Sequence, residues 1–259
     1  MSARATGDVL DAILAAKRAR LAGGPPPAPA SGLPSDGAAF VRALREPGVR
    51  VIAEIKAKSP SAGEILHGAD GKIETFALHY RRGHAAAISV VTEQDFFGGD
   101  PEWVARAKRI SGRPILMKDF FVAPEQLDAA AALGADAVLL IVRALAPDEL
   151  ARLRERARSL GLAVVAETHS ADEIRAAAAV APDVLGINAR DLATFETDLE
   201  KMAALASAVP AGPVKLAESG IRSRDDVARL LSAGLEAFLV GESLLRSEDP
   251  EGALRALQA

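Results

Sequence analysis

The stretch PILMKDFFVAPEQLDAAAALGADAVLLIV, residues 114–142, contains the repeating unit on which the fold depends. Two short apolar runs, 114–118 and 136–142, flank a segment near 124–133 that Gly134 follows, as glycine commonly does at the end of a helix. Apolar strands that alternate with helices predict a parallel sheet, because parallel strands need long crossover connections. This stretch therefore predicts one strand–helix–strand unit.

The same unit recurs from residue 51 to the end of the chain. Eight strands are predicted at 51–56, 86–92, 114–118, 136–142, 162–167, 183–188, 213–218 and 236–241, with helices near 71–82, 100–111, 124–133, 147–160, 171–180, 197–207, 223–233 and 250–258. Eight such units within about 210 residues predict a (β/α)8 TIM barrel. The alternative, an open doubly wound sheet, would need a glycine-rich fingerprint after its first strand, and KAKSPSAGE at 56–64 is not one.

The first 50 residues predict a helical extension in front of the barrel. Residues 8–21 carry apolar side chains at helical spacing, 22–34 is rich in proline and glycine, and a short helix is predicted near 36–45. We therefore expect a single domain over 1–259, with the extension at 1–50 and the eight βα units at 51–259.

Composition excludes several classes of function. The chain has 259 residues and 31 Lys and Arg against 35 Asp and Glu, so a basic surface for nucleic acid is not expected. Cysteine is absent, which excludes disulfides, thiolate metal sites and a cysteine nucleophile, and the four histidines form no HExxH pair, so no metal site is expected. No signal peptide and no membrane-length apolar run is visible, which predicts a cytoplasmic protein.

Polar side chains end five of the predicted strands, where barrel enzymes place their active sites. Lysines there can act as general acids, electrostatic clamps or Schiff-base nucleophiles, and glutamates can move protons or orient the lysines. The residue types alone leave these roles open. The side chains are Glu54 and Lys56 on strand 1, Lys118 on strand 3, Glu167 on strand 5, Asn188 on strand 6 and Glu218 on strand 7.

The ends of strands 7 and 8 predict a phosphate site. Strand 7 runs into Ser219-Gly220, and strand 8 runs into Gly241-Glu242-Ser243. Barrel enzymes often hold phosphate at these two positions, through backbone N–H groups and a helix N-terminus. Ordinary turn glycines and helix-capping serines are the alternative interpretation.

Three other features have simpler interpretations. His169, just after Glu167 on strand 5, could assist that residue, but a structural role at a helix start is expected. Lys215 has the opposite strand parity to Glu218, so it is expected to face the helices and solvent. Phe96-Phe97-Gly98-Gly99 can line a pocket or form a packing turn.

Taken together, six segments resemble the indole-3-glycerol-phosphate synthase family of tryptophan biosynthesis. They are AEIKAKSPSAGEI (53–65), SVVTEQDFFGG (89–99), LMKDFFV (116–122), LGINARDLATFETDL (185–199), LAESGI (216–221) and FLVGESLLR (238–246). The resemblance implies a (β/α)8 enzyme that needs no cofactor. Its substrate would be 1-(2-carboxyphenylamino)-1-deoxyribulose 5-phosphate, which would be cyclised, decarboxylated and dehydrated to indole-3-glycerol phosphate.

The resemblance also implies roles for the polar strand ends. Lys118 would be the general acid at the substrate carbonyl, and Glu167 the main acid/base group in ring closure or dehydration. Glu54 and Lys56 would contribute to the proton transfers, and Lys56 would also bind an anionic part of the substrate. The remaining matched positions are Asn188, which would position the substrate, Glu218, which would orient the lysines, Ser219, Gly220, Gly241 and Ser243 for the phosphate, Ser59 and Phe120 for the aromatic end, and Arg190 as a further substrate-binding residue.

One position departs from the family pattern, because Ala189 stands where the family often has a second asparagine. The family also implies that the N-terminal extension lies over the barrel mouth. We expect a monomer that binds a small phosphorylated substrate and associates at most weakly with other tryptophan-pathway enzymes.

Three other functions stay open from the sequence. The sister isomerase, phosphoribosylanthranilate isomerase, shares the phosphate motif but uses a cysteine base, which this chain lacks. A Schiff-base aldolase would use Lys118 as its nucleophile. A non-catalytic barrel would keep the glycine and serine motifs without needing Lys118 and Glu167.

Overall fold

The computed structural model describes residues 8–24, 31–191 and 194–259, and within them the chain forms a closed barrel of eight parallel strands. Each strand pairs with its neighbour in sequence, and the last pairs with the first, so the predicted TIM barrel is confirmed and the open sheet is excluded. The strands are β1 Arg50–Ile55, β2 Ala87–Val91, β3 Ile115–Lys118, β4 Ala137–Ile141, β5 Ala163–Thr168, β6 Val184–Asn188, β7 Val214–Glu218 and β8 Ala237–Val240.

Two helices precede the barrel and others alternate with its strands, as predicted. They are α1 Asp8–Ala22, α2 Gly37–Arg45, α3 Ile73–Arg82, α4 Trp103–Ser111, α5 Pro124–Ala132, α6 Pro147–Ser159, α7 Ala171–Ala179, α8 Leu199–Leu205, α9 Arg224–Ser232, α10 Glu242–Leu245 and α11 Pro250–Gln258. The four-residue α10 and a small hairpin between Lys58–Ser59 and Gly63–Glu64 were not predicted. Elements this short carry no detectable hydrophobic period.

Local sequence explains where several helices begin. The side chains of Ser170, Asp198 and Ser223 accept hydrogen bonds from the backbone N–H groups of the first turns of α7, α8 and α9. Such N-caps satisfy donors that have no partner inside the helix.

Alternation along the strands separates two packed regions. Inward-facing side chains such as Ile52, Leu116, Val165 and Leu216 are buried together in the centre of the barrel, while the alternate residues pack against the helices. Above this apolar filling, at the carboxyl ends of β1, β3, β5, β6 and β7, the inward positions become polar.

The two N-terminal helices contact opposite ends of the barrel. On α2, Phe40 and Leu44 are buried in the same cluster as the first inward residues of the strands, such as Ala163. Gly37 permits this approach, because a Cβ there would lie 2.3 Å from the backbone nitrogen of Ala163. Helix α1 instead contacts the carboxyl ends of the strands, as described below. The proline-rich part of the predicted linker, residues 25–30, lies outside the described residues.

No helix in the described ranges is long and apolar enough to cross a membrane.

Candidate active site

A cavity of about 540 Å³ opens at the carboxyl ends of the strands. Every site residue predicted from the sequence lines this cavity except Glu218, which is fully buried next to it. Those lining it are Glu54, Lys56, Ser59, Lys118, Phe120, Glu167, Asn188, Arg190, Ser219, Gly220, Gly241 and Ser243.

Lys118 lies between two carboxyl groups contributed by different strands. Its Nζ is 3.3 Å from Oε2 of Glu54 on β1 and 3.4 Å from Oε2 of Glu218 on β7. Glu54 also accepts a hydrogen bond from Lys56 Nζ at 2.5 Å, through its other oxygen. Glu54 therefore contacts both lysines, and the ion pair of Glu218 within the described ranges is with Lys118.

Burial and charge act in opposite directions on these groups. Burial alone raises the pKa of Glu54, but the ammonium groups of Lys118 and Lys56 outweigh it and lower that pKa to about 2. Burial alone lowers the pKa of Lys118, but the nearby acidic groups, Glu54 foremost, raise it above its ordinary value. Lys118 is therefore an ammonium ion at neutral pH, and Glu54 is a carboxylate.

Glu218 differs from Glu54 in its charge state. Burial raises its pKa well above the ordinary range, Glu167 and Glu54 reinforce the rise, and Lys118 opposes it. The carboxyl group of Glu218 therefore holds a proton at neutral pH, which brings the charges of the cluster closer to balance.

A glycine on the neighbouring strand makes room for Glu218. A Cβ at Gly186 of β6 would lie 2.1 Å from Oε1 of Glu218, so this inward position accepts no side chain. Glycine inside a strand often marks such a close approach, and this is the signal by which Gly186 could have been found in the sequence.

Glu167 is buried on β5, and His169 lies next to it. His169 is also buried, and its Nε2 lies 3.4 Å from Oε1 of Glu167.

Helix α1 is held against the cavity by buried charges. Lys17 Nζ lies 2.6 Å from Oδ1 of Asp119 and 3.9 Å from Oε1 of Glu93, and all three side chains are buried. From the same helix, Leu10 and Ile13 line the cavity. Sequence reasoning missed Lys17, Glu93 and Asp119, because a helix lysine and two loop acids give no local sign that they pair.

Two aromatic rings form another wall of the cavity. The ring centroids of Phe97 and Phe120 are 6.0 Å apart. Glu93 stabilises the turn that contains Phe97 by accepting hydrogen bonds from the backbone N–H groups of Phe96 and Phe97. Of the two interpretations of the 96–99 segment, the structure therefore favours a pocket wall. Ser59 lines the cavity from the hairpin after β1.

The loops after β7 and β8 lie side by side. Ser219 and Gly220 both have left-handed backbone conformations, with φ of +70° and +80°. The Ser243 hydroxyl donates to the carbonyl of Ile221 at 3.3 Å, which joins the two loops directly. Gly241 has a different constraint from the one expected, because a Cβ there would meet Oε1 of Glu54 at 2.8 Å. A larger residue at 241 would thus displace Glu54, in addition to any effect on a bound anion.

Asn188 organises the loop after β6. Its Oδ1 accepts the backbone N–H of Arg190 at 2.9 Å, and the Arg190 guanidinium donates to the carbonyl of Phe195 at 2.9 Å. Residues 192 and 193 of this loop lie outside the described residues. Ala189 is buried, and its N–H donates to the carbonyl of Glu218 at 2.9 Å.

The low pKa of Glu54 leads to a pH-dependent stability prediction. The difference between 4.5 and about 2 corresponds to about 3 kcal/mol of unfolding free energy at pH 7. Because the folded-state pKa lies below the unfolded one, this contribution is complete above about pH 5 and is lost as the pH falls toward 2. We expect Glu54→Gln to lower the unfolding free energy by about 3 kcal/mol at pH 7, with the deficit narrowing below about pH 5, as measured by urea denaturation.

Glu218→Gln is the matched control, since its carboxyl group is already neutral at pH 7. We expect no comparable loss of stability for this variant at that pH. If Glu54→Gln lost the same unfolding free energy at about pH 3.5 as at neutral pH, the assignment of Glu54 as a carboxylate with a lowered pKa would be contradicted.

A closed (β/α)8 barrel with lysines and carboxyl groups at the carboxyl ends of its strands defines a TIM-barrel enzyme. Within that class, the chain belongs to the indole-3-glycerol phosphate synthase family, whose model matches residues 10–257. Indole-3-glycerol phosphate synthase 2 of Streptomyces coelicolor is 44% identical, over 84% of each chain. Indole-3-glycerol phosphate synthase of Aromatoleum aromaticum is 41% identical, over 96% of this chain and 98% of the relative.

Solved structures with low sequence identity share the fold. A 3-hexulose-6-phosphate synthase matches with a TM-score of 0.65 and 15% identity, over 81% of this chain and 98% of the other. Orotidine 5′-phosphate decarboxylase of Pyrococcus horikoshii matches with a TM-score of 0.61 and 14% identity, over 80% of this chain and 97% of the other. At these identities the likeness concerns the barrel alone.

Proposed function

We propose that this chain converts 1-(2-carboxyphenylamino)-1-deoxyribulose 5-phosphate to indole-3-glycerol phosphate, as a carboxy-lyase of tryptophan biosynthesis. Family membership over residues 10–257 supports the activity. The observation that carries the chemistry is the ammonium group of Lys118, held between Glu54 and Glu218 beside the cavity.

In the proposed ring closure, the aromatic carbon that bears the carboxylate attacks the ribulose carbonyl. Lys118 donates a hydrogen bond and then a proton to the carbonyl oxygen as the new carbon–carbon bond forms. Carbon dioxide then leaves, which restores the aromatic ring. A fixed ammonium group favours this step because negative charge develops on the oxygen in the transition state.

In the proposed dehydration, Glu167 and the Glu54–Lys56 pair transfer the remaining protons as water is lost. Lys56 Nζ contacts Glu54 and lines the cavity, so it can also bind an anionic group of the substrate. The other predicted residues keep their positioning roles in this scheme. Asn188 and Arg190 position the substrate from the loop after β6, Ser59 and Phe120 contact its aromatic end, and Glu218 orients Lys118.

The proposed phosphate site consists of the loops after β7 and β8. The hydrogen bond between Ser243 and Ile221 supports a shared site, because it places the first turn of α10 beside Ser219 and Gly220. The first N–H groups of a helix have no partner inside it and are therefore free to bind an anion.

Phosphate binding is tested by Gly220→Val. Because Gly220 has φ of +80° and a Cβ there would lie 3.1 Å from Thr197 and Leu199, valine displaces this loop and its N–H groups. We expect KM to rise about tenfold or more with a smaller change in kcat, since substrate and transition state share the phosphate contacts. Inorganic phosphate should raise the Tm of the wild type and not that of the variant.

Gly234→Val is the matched control. Gly234 also has a left-handed conformation, with φ of +91°, but a Cβ there meets nothing within 4 Å and the residue lies outside the cavity. It should lose stability from backbone strain and keep the full phosphate-dependent shift. If folded Gly220→Val kept that shift as well, the two loops would not hold the phosphate.

The direct test of the activity is to incubate the protein with the anilino-ribulose phosphate and follow indole fluorescence. Product formation without added metal or cofactor is expected. A covalent adduct trapped by borohydride would instead indicate a Schiff-base aldolase, which the protonated state of Lys118 disfavours. An unchanged substrate would indicate a non-catalytic barrel.

The proposal includes the domain organisation, the oligomeric state and the cellular location of the enzyme. Helix α1 covers the mouth of the cavity through Lys17 and its apolar face, while the barrel forms the rest of a single domain. The enzyme acts as a monomer in the cytoplasm and associates at most weakly with other enzymes of the pathway.

A further inference from the structure

His169 occupies an unusual position for a buried histidine. It follows β5, its side chain is 5% exposed, and Nε2 has no hydrogen-bond partner in the part of the chain that the structure describes. A buried polar atom without a partner is costly, so its placement needs a reason. The atom that Nε2 faces is Oε1 of Glu167, 3.4 Å away.

The opposite ring nitrogen is fixed by a carboxylate. Nδ1 of His169 lies 3.2 Å from Oε2 of Glu173, and the same oxygen accepts the backbone N–H of His169 at 2.8 Å. Burial raises the pKa of Glu173, but hydrogen bonds from His169 and Arg143 outweigh it and lower that pKa to about 2. Glu173 is therefore anionic, and Nδ1 carries the proton of this hydrogen bond.

Arg143 binds the second oxygen of the Glu173 carboxylate. Its Nη2 and Nε lie 2.8 Å and 3.2 Å from Oε1 of Glu173, so both oxygens of that carboxylate are engaged. The series Arg143, Glu173, His169 and Glu167 connects the segment after β4 to the cavity. With Nδ1 held by Glu173, rotation of the imidazole ring is restricted, and Nε2 is directed at Glu167.

We propose that His169 is a positioning residue for the acid/base carboxyl group of Glu167, which it holds in place through Nε2. The inference rests on the proposed function, in which Glu167 transfers protons. An imidazole nitrogen can donate to a carboxylate or accept from a carboxylic acid, so it suits a partner that changes protonation state during turnover. The gap of 3.4 Å closes by a small rotation of the carboxyl group, and such contacts are often long before substrate binds.

Three substitutions distinguish the contribution of Nε2 to kcat from that of Nδ1. The amide introduced by His169→Gln would lie near the position of Nε2, the amide introduced by His169→Asn would lie near that of Nδ1, and His169→Leu removes both polar groups. We therefore expect His169→Gln to keep kcat within about threefold of the wild type. His169→Asn and His169→Leu should each lower kcat about 10- to 100-fold, with KM changed by less than about threefold.

A double-mutant cycle tests whether His169 acts through Glu167. In the Glu167→Gln background, His169→Leu should lower kcat by less than about twofold, because the group that it positions is already gone. An equal loss in both backgrounds would overturn the proposal. So would a full kcat in His169→Leu together with a lower Tm, since that pattern marks a purely structural role.

His79→Leu is the control for loss of a partly buried histidine. His79 lies on α3 beside Phe76, and its Nδ1 also has no hydrogen-bond partner within the described ranges. It should change Tm and leave kcat unaltered. Failure of the wild type to form indole-3-glycerol phosphate would overturn the proposed function. An active wild type together with His169 variants of unchanged kcat would overturn only the role of His169.

Discussion

Lys118→Ala is expected to lower kcat by at least about a thousandfold while leaving substrate affinity within a few-fold. General acid catalysis typically contributes about 10²–10⁴-fold, and the lost ammonium group also removes a charge contact made in the transition state. The fold should persist, because Glu54 keeps its contact with Lys56 and the carboxyl group of Glu218 is neutral at pH 7. Single-turnover indole fluorescence and substrate titration measure the two quantities.

Lys215→Ala is the matched control for this prediction. Lys215 also lies on a barrel strand, but it has the outward parity and its Nζ lies 3.5 Å from the carbonyl of Ala206, outside the cavity. Its kcat should equal that of the wild type. Near-wild-type kcat in folded Lys118→Ala would remove Lys118 from the mechanism.

Glu167→Gln is expected to lower kcat by about 10- to 1,000-fold with little change in Tm. Glutamine preserves the shape of the side chain and creates no cavity, but it cannot take up or release a proton. Steady-state kinetics and thermal unfolding on the same preparation distinguish the two effects. Full activity with a lower Tm would mark Glu167 as a structural partner of the lysines.

Asp136→Asn is the control in which stability and not kcat is expected to fall. Asp136 is buried at the start of β4, where it accepts the N–H of Ile115 and pairs with Lys108 at 2.8 Å. Because it lies at the other end of the barrel, this variant should lose stability and keep kcat.

The barrel, and the polar strand ends that line its cavity, could be predicted from the sequence because both depend on local patterns. Each strand is a short apolar run, and its position before a helix identifies the end at which a polar residue such as Lys118 or Asn188 lies. The roles of the site residues, in contrast, came from the resemblance to a family, since the residue types alone allowed several.

The protonation states of the site residues and their ion-pair partners could not be predicted in the same way. Glu54 and Glu218 are both strand-end glutamates in the sequence, yet one is a carboxylate and the other a carboxylic acid at neutral pH. The difference follows from their neighbours: Glu54 contacts two lysines, and Glu218 contacts one from a fully buried position.

Sequence by itself determined the number of barrel strands, the end of the barrel that carries the polar groups and the polar residues at the strand ends, because periodicity and strand order are properties of neighbouring residues. Tertiary structure decided how those groups pair. Lys118 meets Glu54 across 64 positions and Glu218 across 100, and Gly186 leaves the space that Glu218 occupies. It also decided that α1 and α2 contact opposite ends of the barrel and that His169 faces Glu167. Contacts over such distances in the chain depend on closure of the barrel, which brings the ends of separate strands to one cavity.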